Sequence, residues 1–555
     1  MVGDPAKTGV THGRSHEGRA LPPSPTQARS TSNLVSLDYH ETTKHYFGRF
    51  ARSRGYLDWA TQPDPFRRYP GSRLIPLPQE EAGEVDRGID RGGAAPLHRD
   101  SIAWFLRYAM GLSAWKAYRD TRWALRVNPS SGNLHPTEAY LIHAGRILHY
   151  APREHAVEER AVLPSPAWEQ FLHGRQAFLV ALTSIHWREA WKYGERAFRY
   201  CQHDVGHAIA ALRVSASLFG WTLRLLTEWS DKQLATLLGV DRDEDRGEAE
   251  PEQPECLALV GSSVSWTTGD PAPLVAAARN AVWQGHANVL SRGHDEWPIL
   301  DEITRAVSYP GQLSNANPGF PSSNVQLLDS NSHALYPRDV ILRRRSALAF
   351  DARSALARER FIAMLEKLAP SAAPFDAFDW SPHVHLALFV HRVEGLVPGV
   401  YVYLRDSSVI DEWRSAMRPD FLWEQVRDRL FLLLPTDVTW AANRLSCDQE
   451  IASDGFFSLG MIARLESALR DRGEWFYRRL FWECGMIGQV LYLEAEAAGA
   501  RGTGIGCFYD DAVHELLGLS SREWQSLYHF SMGMPVDDLR LTTERGYTWE
   551  QGHRV

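Results

Sequence analysis

Cysteine is scarce in this chain: five in 555 residues, with no Cys-x-x-Cys pair. That excludes a disulfide framework and a paired-cysteine metal knuckle. Long apolar runs are missing as well. No segment reaches the ~18 consecutive apolar residues that a membrane helix needs. The first 34 residues are rich in Gly, Pro, Ser and Thr and hold no apolar core of a secretory signal. They read as a disordered tail. Basic charge is not in excess either, with 60 Lys and Arg against 68 Asp and Glu and a formal charge of −8. No global field exists to hold nucleic acid by counterion release. These absences lead us to expect a reducing, cytoplasmic setting with no membrane and no nucleic-acid partner.

What is present is an ordinary globular composition, 44% hydrophobic and 23% charged, with an unusual load of 20 Trp, 19 Tyr and 22 Phe. Aromatics at that density suit pockets or interfaces. Helical and strand periods alternate from residue 35 to 265. Residues 101–115 and 195–220 have helical spacing, the latter closed by Gly220. Residues 138–144 and 147–151 read as a hairpin turning at Gly145, and 177–184 and 255–264 as further strands. Residues 231–240 read as a short helix. A connector, 266–334, holds a helix expected over 273–290 and a polar stretch rich in Asn, Pro, Ser and Gly. The second half, 335–555, repeats the order: a helix at 355–369, a hairpin at 385–404 around Glu394-Gly395, and a long helix at 480–500.

The repeat survives alignment. At a shift of 279, residues 204–240 lie on 483–519 without a gap, and eight of 37 pairs are identical, among them Gly206/Gly485, Gly220/Gly499, Asp231/Asp510 and Gly239/Gly518. Chance pairing would give about two. One α+β unit has been duplicated in tandem.

Four segments carry chemistry. The first, Pro129-Ser130-Ser131-Gly132-Asn133, precedes a strand. Its small residues let the backbone approach a flat ring, and its hydroxyl and amide groups offer hydrogen bonds. The second, Arg343-Arg344-Arg345-Ser346, has guanidinium forks suited to phosphate. The third, Gly502-Thr503-Gly504-Ile505-Gly506-Cys507, reads as a loop of exposed backbone N–H groups. No acidic ribose-binding residue follows it, so it is not a dinucleotide fingerprint. Cys507 reads as a small packing residue. The fourth is Trp191-Lys192-Tyr193-Gly194-Glu195-Arg196, followed by Asp204-x-Gly206-His207. His203 and His207 lie one helical turn apart, but no third ligand is evident, so no metal is expected.

Together these segments resemble the FMN-binding nitroreductase family. The resemblance covers about residues 35–265 and 335–545. It implies an α+β fold of two tandem nitroreductase-like α/β/α units forming an intramolecular pseudo-dimer. It also implies FMN held by Pro129, Ser130, Ser131, Asn133, Arg343, Arg344, Arg345, Ser346, Gly504, Ile505 and Gly506, with Arg540 near the phosphate. One departure is Leu348, where the family's opening element has a second Arg. Family members are normally homodimers whose two flavin sites each draw on both subunits. Here the Pro-Ser loop occurs only in the first half, and the Arg-Ser element and glycine segment only in the second. The counterparts are Trp380-Ser381-Pro382-His383, His40-Glu41-Thr42-Thr43-Lys44 and the glycine-free Leu223–Thr227. One composite site keeps its parts and the other has lost them.

The fourth segment resembles the SagB/McbC-type azoline dehydrogenases, which carry a Lys-Tyr pair here. That implies oxidation of an azoline or related peptide or natural-product intermediate by proton abstraction and hydride transfer to FMN. Lys192 or Tyr193 would be the base, its pKa lowered by burial or a nearby cation. A small molecule or peptide is the expected substrate. Biosynthetic partner proteins are expected to supply a peptide, and the chain itself to be a monomer open to further oligomerisation. Two alternatives stay open: an NAD(P)H-dependent nitro or quinone reductase, and a flavin-free pseudoenzyme acting as a scaffold.

Overall fold

The computed structural model describes residues 34–79, 93–262, 268–311 and 334–550. The expected tail and most of the polar connector stretch lie outside the described residues. In chain order the first-half strands are β1 (Arg73–Pro76), β2 (Leu112–Tyr118), β3 (Thr121–Arg126), β4 (Thr137–His143), β5 (Arg146–Ala151), β6 (Ala156–Val162), β7 (Ala177–Ser184), β8 (Thr222–Leu225) and β9 (Gln253–Gly261). Those of the second half are β10 (Val384–Val390), β11 (Gly399–Tyr403), β12 (Glu424–Arg427), β13 (Leu430–Pro435), β14 (Phe457–Arg464), β15 (Arg501–Ile505), β16 (Trp524–Gly533) and β17 (Thr542–Arg545). Two seven-stranded antiparallel sheets result, ordered β1-β6-β5-β4-β7-β9-β8 and β12-β13-β11-β10-β14-β16-β15. From the hairpin to the last edge strand they correspond member by member. A third sheet, β17-β2-β3, joins the end of the second half to the first half.

The helices that matter for the site are α1 (Val35–Thr42), α2 (Arg99–Ala109), α3 (His186–Tyr193), α4 (Ala197–Ser217), α5 (Asp231–Leu238), α6 (Arg338–Arg343), α7 (Phe476–Ala497) and α8 (Asp510–Leu517). The starts of α4, α5 and β8 lie 279 residues before those of α7, α8 and β15. α4 and α7 run against each other in the centre, and every residue of α4 but Ser217 is buried. Their crossing explains two of the matched glycines. A Cβ on Gly206 would strike the Trp482 carbonyl and come within 2.9 Å of the Gly485 Cα, while one on Gly485 would strike the His203 carbonyl. The matched Gly239 and Gly518 sit at φ +68° and +82° after α5 and α8, where glycine closes a helix without steric cost.

Reciprocal ion pairs lock the two halves. Asp510 at the start of α8 accepts from Arg196 (3.1 Å) and Arg199 (2.9 Å) of the first half. Its counterpart Asp231 accepts from Arg478 (2.8 Å), the counterpart of Arg199, which also reaches Glu255 (3.3 Å). Burial pushes the Asp510 carboxyl up, but Arg196 and Arg199 together hold it at about 2. The intramolecular pseudo-dimer is thus a physical interface, knitted by buried charge and by helix contact.

Three sequence expectations change. The helix expected over 101–115 ends at Ala109, because the Leu112–Tyr118 segment is claimed as a strand by partners in β3 and β17. The connector helix stops at Arg279. Gly285 turns at φ +75°, and the chain then runs beside residues 64–72, with Asn288 N donating to Arg68 O and Asp64 N to Leu290 O. The glycine segment read as a loop is β15, an edge strand paired with β16. Among the described residues no helix is long and apolar enough to cross a membrane.

Candidate active site

The Pro-Ser loop leaves β3 and enters β4 through a tight turn. Gly132, Asn133 and His135 have φ of +58°, +59° and +52°. Gly132 is required on a second ground: a Cβ there would lie 2.7 Å from the Tyr193 hydroxyl. The loop's polar groups hold the loop itself. His135 N donates to Ser130 Oγ (2.8 Å) and Asn133 Nδ2 to Ala124 O (2.8 Å). Ser131 donates its backbone N–H (3.1 Å) and its hydroxyl (3.2 Å) to the Asp204 carboxylate on α4. A rigid rim is the result, with the side-chain amide of Asn133 already engaged.

The Arg-Ser element follows α6 and reaches across to the first half. Arg344 donates from Nε to Val127 O and from Nη2 to Arg126 O, both at 3.1 Å. Arg345 donates from Nη2 to Ser113 O at 2.9 Å. Among the described residues each guanidinium keeps one buried nitrogen without a hydrogen-bond partner, Nη1 of Arg344 and Nε of Arg345. Burial lowers the Arg344 pKa. Burial first, then the adjacent Arg344 cation, brings Arg345 down to about 9. A buried and a half-buried cation, each with a spare donor, suit an anion. Ser346 Oγ contacts Tyr492 Oη at 3.0 Å, and that hydroxyl accepts from Gly504 N at 2.8 Å.

The glycines of 502–506 answer to tyrosine and phenylalanine rings. A Cβ on Gly504 would collide with the Tyr528 hydroxyl, one on Gly506 with the Tyr200 ring, and one on Gly502 with the Phe530 ring. They make room for aromatic walls, and the Gly504 N–H is already engaged with Tyr492.

Lys192 and Tyr193 end α3. Tyr193 lies against Tyr200 with ring centroids 4.2 Å apart, and Lys192 Nζ stands 5.3 Å from the Tyr193 centroid. Burial, followed by the Glu189 carboxylate, drives the Tyr193 pKa well above its ordinary value. This reverses the lowered pKa expected of it as a base. Tyr193 stays protonated near neutrality. The group that sequence reasoning missed is Asp204, whose carboxyl burial raises to about 7, the hydrogen bonds from Ser130 and Ser131 opposing this only in part. Its signal was present in the Asp204-x-Gly206-His207 pattern.

All four segments converge. Pro129, Ser130, Ser131, Asn133, Lys192, Tyr193, Arg344, Arg345, Ser346, Gly504, Ile505 and Gly506 line one cavity of about 1430 Å³. Small-molecule sites commonly enclose roughly 300–1,000 Å³, so this one has room for more than a single ligand. Two expected residues are not brought in. Arg343 is half exposed and pairs with Asp339 at 2.9 Å. Arg540 is 73% exposed, its guanidinium folded back onto Asp538 at 2.7 Å. His203 and His207 each face the second half, with Nε2 against Leu527 O (3.1 Å) and Tyr528 Oη (3.2 Å).

The nitroreductase family model matches residues 116–261 and 341–534, more than half of the chain. The chain belongs to the nitroreductase family. Members of that family usually bind FMN, and membership makes this chain an oxidoreductase by family. It is similar along 91% of its length to the whole of a candidate nitroreductase from Anabaena variabilis ATCC 29413, with 21% identity and a TM-score of 0.64. A candidate nitroreductase from Ralstonia eutropha JMP134 is 14% identical over 39% of this chain and 98% of its own, with a TM-score of 0.25. A chain of the E. coli microcin synthetase McbBCD complex, solved with truncated pro-MccB17, is 18% identical over 43% of this chain and 85% of its own, with a TM-score of 0.25. No curated protein matches.

In this nitroreductase-family chain the pseudo-symmetric second position is filled among the described residues. Leu225, Leu226 and Thr227, the counterparts of Gly504, Ile505 and Gly506, border a space of about 20 Å³. Arg479, the counterpart of Tyr200, lies over the rings of Trp475 (4.3 Å), Tyr309 (4.9 Å) and Trp380 (5.0 Å). Trp380, from the segment that replaces the Pro-Ser loop, stacks on Phe378 at 4.1 Å.

Proposed function

We propose that the chain is an FMN-dependent dehydrogenase of the SagB type, with one flavin site per chain, acting on an azoline or related natural-product intermediate. The observation that carries the reading is the convergence of all four segments, drawn from both halves, on one cavity with two incompletely bonded guanidiniums. FMN fits these residues. The spare donors of Arg344 and Arg345, with Ser346, would hold its phosphate, and the Pro-Ser rim and the strand end at Gly504–Gly506 would hold its ring system. When bound, FMN supplies the hydride acceptor.

The chain's own residues handle the proton and the positioning. Lys192 Nζ, at the cavity wall, takes the substrate proton. Tyr193, held protonated, donates a hydrogen bond into the same space. Asp204 is a positioning residue: once ionised it accepts more strongly from Ser131 and stiffens the rim. The cavity volume left beside a flavin accommodates a heterocycle with flanking residues, and partner proteins would deliver a peptide bearing it.

The test is anaerobic flavin bleaching. The FMN-loaded protein is mixed separately with NADPH and with a thiazoline-containing peptide. Bleaching by the thiazoline with azole formation, and none by NADPH, is the expected result. Rapid bleaching by NADPH alone would replace the dehydrogenase with a reductase, and failure to take up FMN would remove both.

A further inference from the structure

The five cysteines divide sharply. Cys201, Cys256 and Cys484 are buried, whereas Cys447 and Cys507 are partly exposed. Those two face each other, Sγ to Sγ at 2.8 Å, although 60 residues separate them. Cys507 lines the cavity, one residue beyond Gly506. Cys447 lies just past the helix Thr439–Leu445, in a turn where it and Asp448 have φ of +55° and +56°. Hydrogen bonds dock this turn on the strand end. Tyr509 N donates to Leu445 O at 2.9 Å, and Gln449 Nε2 donates to Cys507 O at 3.1 Å and to Ser446 O at 2.7 Å. The sulfurs are held together by backbone already in place.

We propose that Cys447 and Cys507 form a reversible dithiol/disulfide site in the cavity wall, which exchanges with low-molecular-weight disulfides. The two sulfurs have different roles. The contact with Cys447 and then the Arg196 guanidinium favour the thiolate of Cys507, opposed by burial. Arg196 is fixed beside it by its bond to Gly506 O at 3.2 Å. The same contact, with burial, raises the Cys447 pKa. Cys507, which lines the cavity next to the Arg196 guanidinium, is the attacking thiolate, and Cys447, outside the lining and against its sulfur, is the resolving thiol. Cys507 attacks one sulfur of the small disulfide and releases one thiol. Cys447 loses its proton and attacks the mixed disulfide at Cys507, releasing the second. The protein pair is oxidised by two electrons, and one small disulfide is reduced to two thiols. A dithiol reductant reverses the exchange. None of this depends on a flavin in the cavity.

The full chain is incubated with oxidised glutathione, quenched in acid, unfolded and alkylated, and its intact mass is read. Three alkylated cysteines, with a cross-link between the peptides carrying Cys447 and Cys507, and five after dithiothreitol, are expected. In Cys447→Ser a stable glutathione adduct on Cys507 should accumulate, because the resolving thiol is gone. Five alkylated cysteines in the treated wild type would overturn the proposal. So would a persistent glutathione adduct in place of the bridge, or a bridge to Cys201, Cys256 or Cys484.

Discussion

The two halves share a scaffold and differ at the site. Asp204 and Glu483 stand at equivalent points of α4 and α7 and perform the same structural task. Each accepts backbone N–H groups from the segment entering its hairpin: Ser131 at 3.1 Å in the first half, His383 and Val384 at 3.0 and 3.3 Å in the second. Their surroundings diverge. Glu483 is paired with the buried Arg405 guanidinium. Asp204 faces the cavity and its carboxyl sits at about 7. Duplication preserved what holds the sheets and the helix crossing together. It released the residues that face the second pocket, and aromatic packing filled that space.

That contrast can be broken in several places. The largest effect on turnover is expected at Lys192. Lys192→Ala should lower single-turnover flavin reduction by roughly 10²-fold or more, the usual worth of a positioned acid or base, while FMN stays bound. Normal rates would remove Lys192 from the chemistry. Next come the reciprocal aspartates. Asp510→Asn leaves Arg196 and Arg199 buried and should cost about 3–5 kcal/mol. Asp231→Asn should cost about 1–2 kcal/mol, because Arg478 keeps Glu255. Thermal unfolding of the two variants measures the asymmetry, and equal losses would refute it. The Asp510 pair also has a pH signature. Its folded pKa is depressed, so its stabilisation is complete above the unfolded value of about 4 and is lost as pH falls toward about 2.

A smaller effect separates the two pockets. Arg344→Ala should weaken FMN binding about 10- to 100-fold through lost charge-assisted contacts. Arg479→Leu, at the filled counterpart, should leave it unchanged. Fluorescence titration with FMN decides between them, and comparable losses would mean that both pockets bind. The smallest effect concerns Asp204. Its folded pKa is raised, so the acid form persists to about pH 7 and the rim tightens only as pH rises through that value. Turnover should show an acid-side limb near pH 7 that Asp204→Asn abolishes. A limb that survives the substitution would assign it to another group.

Much of the fold was legible because the repeated residues have physical duties. Gly206 and Gly485 permit the helix crossing, Gly239 and Gly518 end helices, and Asp231 and Asp510 bind arginines across the interface. The β15 strand was not legible, since glycine at positions 502, 504 and 506 reads locally as a loop and only its neighbour β16 and the rings packed on it make it a strand. The 112–118 strand was hidden for a similar reason: β17 is more than 400 residues away. At the site, the segments themselves were readable. The engagement of Arg344 with first-half carbonyls, the protonation of Tyr193 and the meeting of Cys447 with Cys507 depend on burial and long-range contact, which local spacing does not encode.

The central claim is that one pocket binds and its pseudo-symmetric partner does not. The most direct measurement is the FMN stoichiometry of the reconstituted, gel-filtered protein, from flavin absorbance and protein concentration. One FMN per chain is expected, falling in Arg344→Ala and unaffected in Arg479→Leu. Two per chain, or none, would contradict it.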